Sequence, residues 1–355
     1  MEGAPIPAVR GRGAAENPKN RFEEIEVVPD LEAPEDERPA PATRFYRDLS
    51  KSIIARNDSP DVGFSASVNP YRGCEHGCVY CYARPTHEYL GLSAGLDFET
   101  RILVKEDAPE LLRRELESPS WRPQLLALSG VTDPYQPVER RLRLTRRCLE
   151  VLAEFRNPTT IVTKNHLVTR DADLLAELAR HRAAAVMVSV TTLDPELARS
   201  MEPRASTPAR RLAAVAALGA AGVPAGIMMG PVIPGLTEHE IPAILAAAAK
   251  AGARFAGHIM LRLPFGVKDL FDRWLERHAP GKRKKVLGRI RGVRGGKLNE
   301  TRFGARMSGA GPIADQIHQL FRVTCRRLGL DLHPPELSVE SFRRPGPSQL
   351  SLFES

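Results

Sequence analysis

The sequence predicts an α/β fold: an incomplete parallel β/α barrel of about six repeats, with a disordered N-terminal arm before it and a basic, mainly helical region after it. Three observations carry this prediction. From about residue 65, short apolar runs rich in β-branched residues alternate with longer amphipathic stretches, the signature of strand–helix repeats with parallel strands. Residues 1–45 are rich in Pro, Ala, Glu and Arg and show little apolar periodicity, so they are expected to be disordered. After Pro264 the alternation stops and helical patterns follow one another.

In chain order, a first strand is expected before Cys74. Residues 124–128 (QLLAL) form a short buried run and 142–155 a helix. Residues 159–163 (TTIVT) read as a strand followed by a helix over 172–181, and 184–190 (AAVMVSV) as the next strand. Thr207-Pro208 reads as a cap followed by a first-turn proline, opening a helix over 207–221. Strands at 224–229 and 254–261 flank a helix at 238–251. This gives a core domain over 60–265, with chemistry expected at the carboxyl ends of its strands. Helices at 269–278 and 313–328 place a basic, mainly helical region over 266–342, and 343–355 reads as a flexible tail.

Composition narrows the class. The chain of 355 residues carries a formal net charge of +8 and a pI near 9.4, a field that favours anionic partners, nucleic acid included, without identifying one. No run approaches eighteen apolar residues, so no membrane span is expected. The first twenty residues lack the apolar centre of a secretory signal. Five cysteines, three of them within eight residues, do not suggest a disulfide framework, and a reduced, cytoplasmic setting is expected.

Those three cysteines carry the chemistry. Cys74, Cys78 and Cys81 are spaced C-x3-C-x2-C in the string GCEHGCVYCYAR, residues 73–84. Thiolates are soft ligands suited to iron–sulfur clusters, zinc or Cu(I). A four-iron cluster on three cysteines keeps one iron without a protein ligand, open to a small molecule. Gly73 and Gly77 would let the loop wrap closely round such a cluster. A structural zinc site with His76 as fourth ligand is the alternative; three unrelated buried cysteines would be another.

The spacing resembles that of the radical S-adenosylmethionine (SAM) superfamily. The string GCEHGCVYCYAR and the later TDPYQPVE, residues 132–139, are similar to its spore photoproduct lyase-like branch, over about residues 65–265. The resemblance implies a partial (β/α)6 TIM-like barrel, a [4Fe–4S] cluster on the three cysteines and bound SAM. It implies reductive cleavage of SAM to methionine and a 5′-deoxyadenosyl radical that abstracts hydrogen from a substrate. It also implies an electron donor such as flavodoxin or ferredoxin.

Candidate cofactor-binding residues then fall at predicted strand ends. Ser129, Thr132 and Asp133 lie where the superfamily places a glycine-rich stretch near the SAM amino group; an ordinary capped turn reads the same way. Lys164 is a candidate for the carboxylate or a ribose oxygen, against a plain surface lysine. Ser189 and Thr191 are candidates for the ribose, or for satisfying backbone groups. Arg204 is a second candidate for the carboxylate, or a surface partner of Glu202. Gly230, within GIMMGPVIPG, resembles a backbone contact to adenine, or is a plain turn. Tyr80 and Tyr82 are catalytic candidates, since such tyrosines lie near the cofactor in the lyase-like branch; packing round the cluster is the alternative. Cys148 and Cys325 fall within predicted helices and read as small buried residues, which leaves no obvious thiol hydrogen donor.

Residues 282–306 hold ten Lys or Arg, one acid (Glu300) and one aromatic (Phe303), a candidate phosphate-contacting strip or a solvated basic loop. The substrate read from charge and resemblance is nucleic acid, with a protein or small metabolite next. A zinc-binding nucleic-acid adaptor without catalysis is the reading from outside the enzyme class.

Overall fold

A computed structural model describes residues 9–23 and 42–345. Ten strands build two sheets: β1 (Arg44–Arg47), β2 (Ile54–Arg56), β3 (Ala66–Val68), β4 (Tyr71–Arg72), β5 (Arg101–Val104), β6 (Leu126–Leu128), β7 (Thr159–Thr163), β8 (Ala184–Ser189), β9 (Ala225–Val232) and β10 (Phe255–Met260). The larger sheet runs β10-β9-β8-β7-β6-β3-β2. Its neighbours are parallel from β3 through β10, and β2 pairs antiparallel to β3. Six parallel strands in sequence order form the expected partial barrel, left open between β2 and β10. The smaller sheet, β1-β5-β4, was not legible in the sequence.

Strand alternation sorts side chains into two environments. Ala66, Val68, Leu126, Leu128, Ile161, Val186, Val188, Ile227 and Ala256 point outward into a fully buried core shared with the surrounding helices. Val162, Ala185, Met187, Met228 and Phe255 point inward. The helices are positioned as their signals indicate. In Pro208–Ala220 the Thr207 hydroxyl accepts from the Arg210 N–H and Pro208 occupies the first turn. Helix Leu144–Phe155 buries Cys148, Leu149, Leu152 and Phe155 along one face.

The C-terminal region is integral to this core. Helices Val267–His278 and Pro280–Val293 bury Phe271, Trp274, Val286 and Ile290 in one cluster with Cys78, Val79 and Tyr80 of the cysteine loop. Trp274 Nε1–H donates to the Ser200 carbonyl at 3.0 Å. After helix Pro312–Leu328 the chain extends the sheet beyond β10, where Asp331 bridges Phe255. It then crosses the amino-terminal end of the barrel, and Leu337 packs on Ala185, Met187 and Phe255. That end is thereby stoppered, which leaves the carboxyl end for chemistry.

Two segments depart from the sequence expectation. Residues 9–23, drawn as part of a disordered arm over 1–45, lie against the cysteine loop through hydrogen bonds described below; residues 1–8 and 24–41 are outside the described residues. Arg343, at the start of the expected flexible tail, donates its N–H to the Phe155 carbonyl at 2.9 Å, and Arg344 donates to the Ser118 and Trp121 carbonyls. Backbone N–H groups and polar side chains thus hold these stretches without apolar periodicity to announce them. Residues 346–355 are again outside the described residues.

Candidate active site

The three cysteines follow β3 and β4 on a loop over residues 73–83. Cys74 and Cys78 are buried, and Cys81 is half-buried. Gly73 and Gly77 take φ of +81° and +67°, and a Cβ at Gly77 would stand 2.6 Å from Glu99 Oε2. Both glycines are therefore required by conformation and by space.

Arg84, the last residue of the cysteine string, clamps the loop. Its side chain is fully buried and uses all five N–H donors. Nε donates to the Cys78 carbonyl at 2.9 Å and Nη1 to the Ala94 and Gly95 carbonyls at 3.1 and 2.9 Å. Nη2 donates to the Gly77 carbonyl at 3.1 Å and to Glu99 Oε1 at 2.5 Å. Glu99, also fully buried, accepts the Gly13 and Ala14 N–H groups at 3.0 and 2.8 Å, which seats the N-terminal arm.

The segment TDPYQPVE braces the other side of the loop. Gln136 accepts the Glu75 N–H at 2.9 Å and donates to the Gly73 carbonyl at 3.2 Å, and Glu75 Oε2 accepts the Val138 N–H at 2.7 Å. Glu139 accepts from Tyr71 Oη at 2.5 Å and pairs with Arg170 at 2.7 Å. Asp133 accepts from the Tyr135 N–H, the Thr163 hydroxyl and the Lys164 N–H, and faces His76 Nδ1 at 3.3 Å. Burial opposes its charge, but His76 and these bonds hold the Asp133 carboxyl below its usual range. Thr132 Oγ1 lies within reach of Asn69 Oδ1 and the Tyr71 carbonyl. Thr132 and Asp133 thus support the loop from behind, and Ser129 sits buried just past β6.

Lys164, Ser189 and Gly230, predicted separately, converge at the carboxyl ends of β7, β8 and β9. Lys164 Nζ stands 2.7 Å from Ser189 Oγ, 2.9 Å from the Gly230 carbonyl and 3.7 Å from Glu202 Oε1. Burial pushes the ammonium down to about 8. Glu202, fully buried, also accepts from the Tyr80 and Arg211 side chains, and from Thr191 Oγ1 at 2.7 Å. Burial raises its carboxyl above the usual range, with Arg211 opposing. Lys164 Nζ lies 5.8 Å from the ring centre of Tyr80, which stands between Cys78 and Cys81 in the loop. The polar cluster therefore adjoins the thiols.

Arg204 does not pair with Glu202 as the sequence alternative had it. Its guanidinium meets Glu75 at 3.0 Å, because Glu202 is turned inward to Arg211. Tyr82, half-exposed, donates to the Gly130 carbonyl at 2.5 Å and stacks beside Arg262, whose Cζ is 5.4 Å from the ring centre. Cys148 and Cys325 are buried in the outer core, with burial raising both thiols, Cys325 to about 11. Arg84, Glu99, Gln136, Glu202 and Arg211 were missed as site residues; Arg84 and Gln136 carried a signal in their places in the two strings, and Glu202 was read only as a surface partner of Arg204.

The donor set fits an iron–sulfur cluster: three soft thiols on a fixed loop, two glycines permitting close approach, and a polar pocket beside them. A single zinc fits less well. Its ligands must lie within about 2.3 Å of one ion, whereas a cluster takes each thiolate on a different iron. Among the described residues no three His, Cys, Asp or Glu side chains converge on a single-ion site. His76 is also committed. The Asn165 carbonyl oxygen accepts from Leu167 N–H and Ser206 Oγ, so its amide donates to His76 Nε2 at 3.1 Å, leaving Nδ1–H toward Asp133.

Residues 68–248 match the family model described as the radical SAM superfamily. The chain is a member of that superfamily. Its family implies a [4Fe–4S] cluster and SAM, and an enzyme that needs a reductant. An uncharacterised protein of Mycobacterium tuberculosis is 41% identical over 241 residues, 66% of this chain and 70% of that protein. A protein of Pseudomonas phage M6 described as a radical SAM Nalpha-GlyT isomerase is 23% identical over 316 residues, 87% of this chain and 61% of the phage protein. Among solved structures, spore photoproduct lyase complexed with dinucleoside spore photoproduct matches with a TM-score of 0.59 at 16% identity, covering 81% of each chain. At that identity the likeness speaks to the fold. Among the described residues no helix is long and apolar enough to cross a membrane.

Replacing Arg84 by Met leaves Glu99 buried without its cation, and should cost about 3–5 kcal/mol in anaerobic urea unfolding. Arg84→Met combined with Glu99→Leu should recover part of that loss. A cost below about 1 kcal/mol for Arg84→Met would contradict the clamp.

Proposed function

We propose that this chain holds a [4Fe–4S] cluster on Cys74, Cys78 and Cys81 and cleaves SAM reductively, directing the resulting radical at a nucleic-acid substrate. The observation that carries the first part is the meeting of the clamped cysteine loop with the Lys164–Ser189–Gly230 pocket at one end of the barrel. When bound, the cluster supplies the electron that breaks a carbon–sulfur bond of SAM, giving methionine and a 5′-deoxyadenosyl radical. The chain's residues bind and orient. Lys164 supplies the cation for a carboxylate, with Glu202 and Arg211 fixing its direction. Ser189 offers its hydroxyl to a ribose and the Gly230 backbone lies beside it for an adenine edge, while the Thr191 hydroxyl is engaged with Glu202 and helps to fix it. Ser129, Thr132 and Asp133 frame the β6 side, where the Asp133 oxygens already accept three hydrogen bonds, so it acts by holding the loop. Arg204, tied to Glu75, serves the loop as well.

The nucleic-acid reading rests on the rim. Arg21 lies 3.6 Å from the Phe265 ring centre and 5.0 Å from that of Phe22, which stacks on Tyr89 at 4.9 Å. Phe22, Phe265 and Tyr89 are 55%, 54% and 73% exposed. Exposed aromatics backed by a guanidinium form a platform on which bases stack. Phe265 follows β10 at its carboxyl end and holds φ of +49°, a left-handed conformation rare for a bulky residue and common where function imposes strain. Tyr82 and Arg262 stand at the same mouth; Tyr82 is half-exposed, with its hydroxyl on the Gly130 carbonyl, which supports its ring as the one to meet a substrate, while Tyr80 is buried with its hydroxyl on Glu202. One structural neighbour holds a dinucleoside spore photoproduct, which supports this reading. The basic strip at 282–306 contributes less than its charge suggests. Arg283, Arg289, Arg294, Arg302 and Arg306 pair with Asp272, Glu238, backbone carbonyls, Glu300 and Asp61 respectively. Exposed Lys282, Lys284, Lys285, Arg291 and Lys297 remain for a phosphate backbone.

Anaerobically reconstituted protein should bind about four irons per chain and form 5′-deoxyadenosine when dithionite and SAM are supplied. Cys78→Ala should lose both. One zinc per chain without iron, or full product from Cys78→Ala, would overturn the assignment. Phe265→Ala should weaken single-stranded oligonucleotide binding by about 1–3 kcal/mol, roughly five- to 150-fold, in fluorescence anisotropy; unchanged affinity would remove the rim from the substrate path.

A further inference from the structure

At the carboxyl end of the barrel, the Arg262 guanidinium has no carboxylate partner among the described residues. Arg262 follows β10, and its Cζ lies 5.4 Å from the ring centre of Tyr82, the residue after Cys81. Its Nε is buried without an acceptor. Nη1 meets the Met307 thioether at 3.6 Å, a weak acceptor for a charged donor. The acids of this quarter are committed to other partners. Asp61 accepts the Gly304 N–H at 2.5 Å and pairs with Arg306, and Glu300 pairs with Arg302 at 2.9 Å.

The surroundings of Arg262 add positive charge. Arg294, buried, donates Nη2 to the Met260 and Leu261 carbonyls at 3.2 and 2.6 Å and Nη1 to the Ala305 carbonyl at 2.8 Å. It thereby fixes the strand end that carries Arg262 against the short helix Ala305–Ser308, which carries Met307. Burial and then Arg306 hold the Arg262 guanidinium below its ordinary value, with Asp61 opposing. Burial and then Arg262 bring Arg294 down to about 10. A partly desolvated guanidinium without a counter-charge is costly, and its planar fork matches the paired oxygens of a phosphodiester.

We propose that Arg262 binds one phosphodiester of a single-stranded nucleic-acid substrate and so sets which nucleotide comes to Tyr82. This rests on the nucleic-acid reading given above. Phe265 lies three residues on in the same loop, a span of at most about 11 Å, so a base stacked on Phe265 puts a neighbouring linkage within reach of Arg262. The Nη N–H groups bind the phosphate oxygens in place of the Met307 sulfur, and no covalent bond changes. The SAM carboxylate is a less suited occupant, because Lys164 stands for it in the pocket at β7, β8 and β9. A peptide carboxylate would satisfy the fork, but the exposed rings of Phe265, Phe22 and Tyr89 favour bases beside it.

The test uses anaerobically reconstituted wild type, Arg262→Gln and Arg262→Lys, with mixed-sequence single-stranded oligonucleotides in fluorescence anisotropy. Arg262→Gln should bind about tenfold more weakly at low salt, as loss of a charge-assisted hydrogen bond requires. Its slope of log affinity against log salt should be shallower by about 0.7, the loss of one contact on a single strand, while Arg262→Lys keeps the wild-type slope. In strands carrying one uncharged methylphosphonate linkage at successive positions, one position should weaken wild-type binding about tenfold and leave Arg262→Gln unaffected, a coupling that a merely structural arginine does not give. Arg262→Gln should be no less stable than wild type in urea, since the cation it removes has no carboxylate partner. An unchanged slope, or penalties at every position equal in wild type and variant, would overturn the proposal. So would weaker SAM binding by Arg262→Gln with oligonucleotide affinity intact, which would put the guanidinium on the cofactor. If wild type binds no oligonucleotide, the nucleic-acid reading fails with it; binding that depends on Phe265 and not on Arg262 overturns this proposal alone.

Discussion

The buried ion pair between Arg84 and Glu99 is the constraint on which the cysteine loop depends. Burying both charges is expensive, and replacing such pairs with apolar groups is often neutral for stability. Its value here is positional. A loop carrying three cysteines with two residues at positive φ has few regular backbone bonds of its own, and Arg84 replaces them by holding the carbonyls of Gly77 and Cys78. Glu99 completes the pair and recruits residues 13 and 14 of the arm. The three cysteines are thus held through their loop's backbone by hydrogen bonds from behind.

The remaining architecture directs that loop toward one end of the barrel. Leu337 packs inside the amino-terminal end, and the C-terminal helices press Phe271, Trp274 and Ile290 onto Val79 and Tyr80. At the carboxyl end the strands finish in Lys164, Ser189 and Gly230, while apolar Val162, Met187 and Met228 line the interior below. A charged, polar cofactor is favoured at the rim layer, and the apolar layer beneath limits water.

Much of this was legible in the sequence because the governing signals are local. Strand β7 coincides with TTIVT, and the Thr207-Pro208 cap opens its helix, since periodicity and capping act over a few residues. Cys74, Cys78 and Cys81 were readable from spacing, and Lys164, Ser189 and Gly230 from their positions at strand ends. What stayed hidden depends on contacts far apart in sequence. Arg84 meets Glu99 across 15 residues, Tyr80 meets Glu202 across 122, and the arm meets Glu99 across 85. Charge pairing of this kind leaves no period. Asp133 and Arg204 were candidates for the cofactor by position; Asp133 accepts from Thr163 and Lys164 and Arg204 meets Glu75, partners that position alone did not announce. The ordered part of the arm escaped notice because its anchors, the Gly13 and Ala14 N–H groups and the side chains of Asn17, Asn20 and Arg21, leave no apolar period.

The central claim is that three cysteines hold a cluster with one iron open to SAM. Electron paramagnetic resonance of the dithionite-reduced, anaerobically reconstituted protein tests it most directly. The account predicts a spin-half signal from a reduced four-iron cluster whose g values shift when SAM is added, because SAM binds the open iron. A reduced cluster whose spectrum is identical with and without SAM would contradict it.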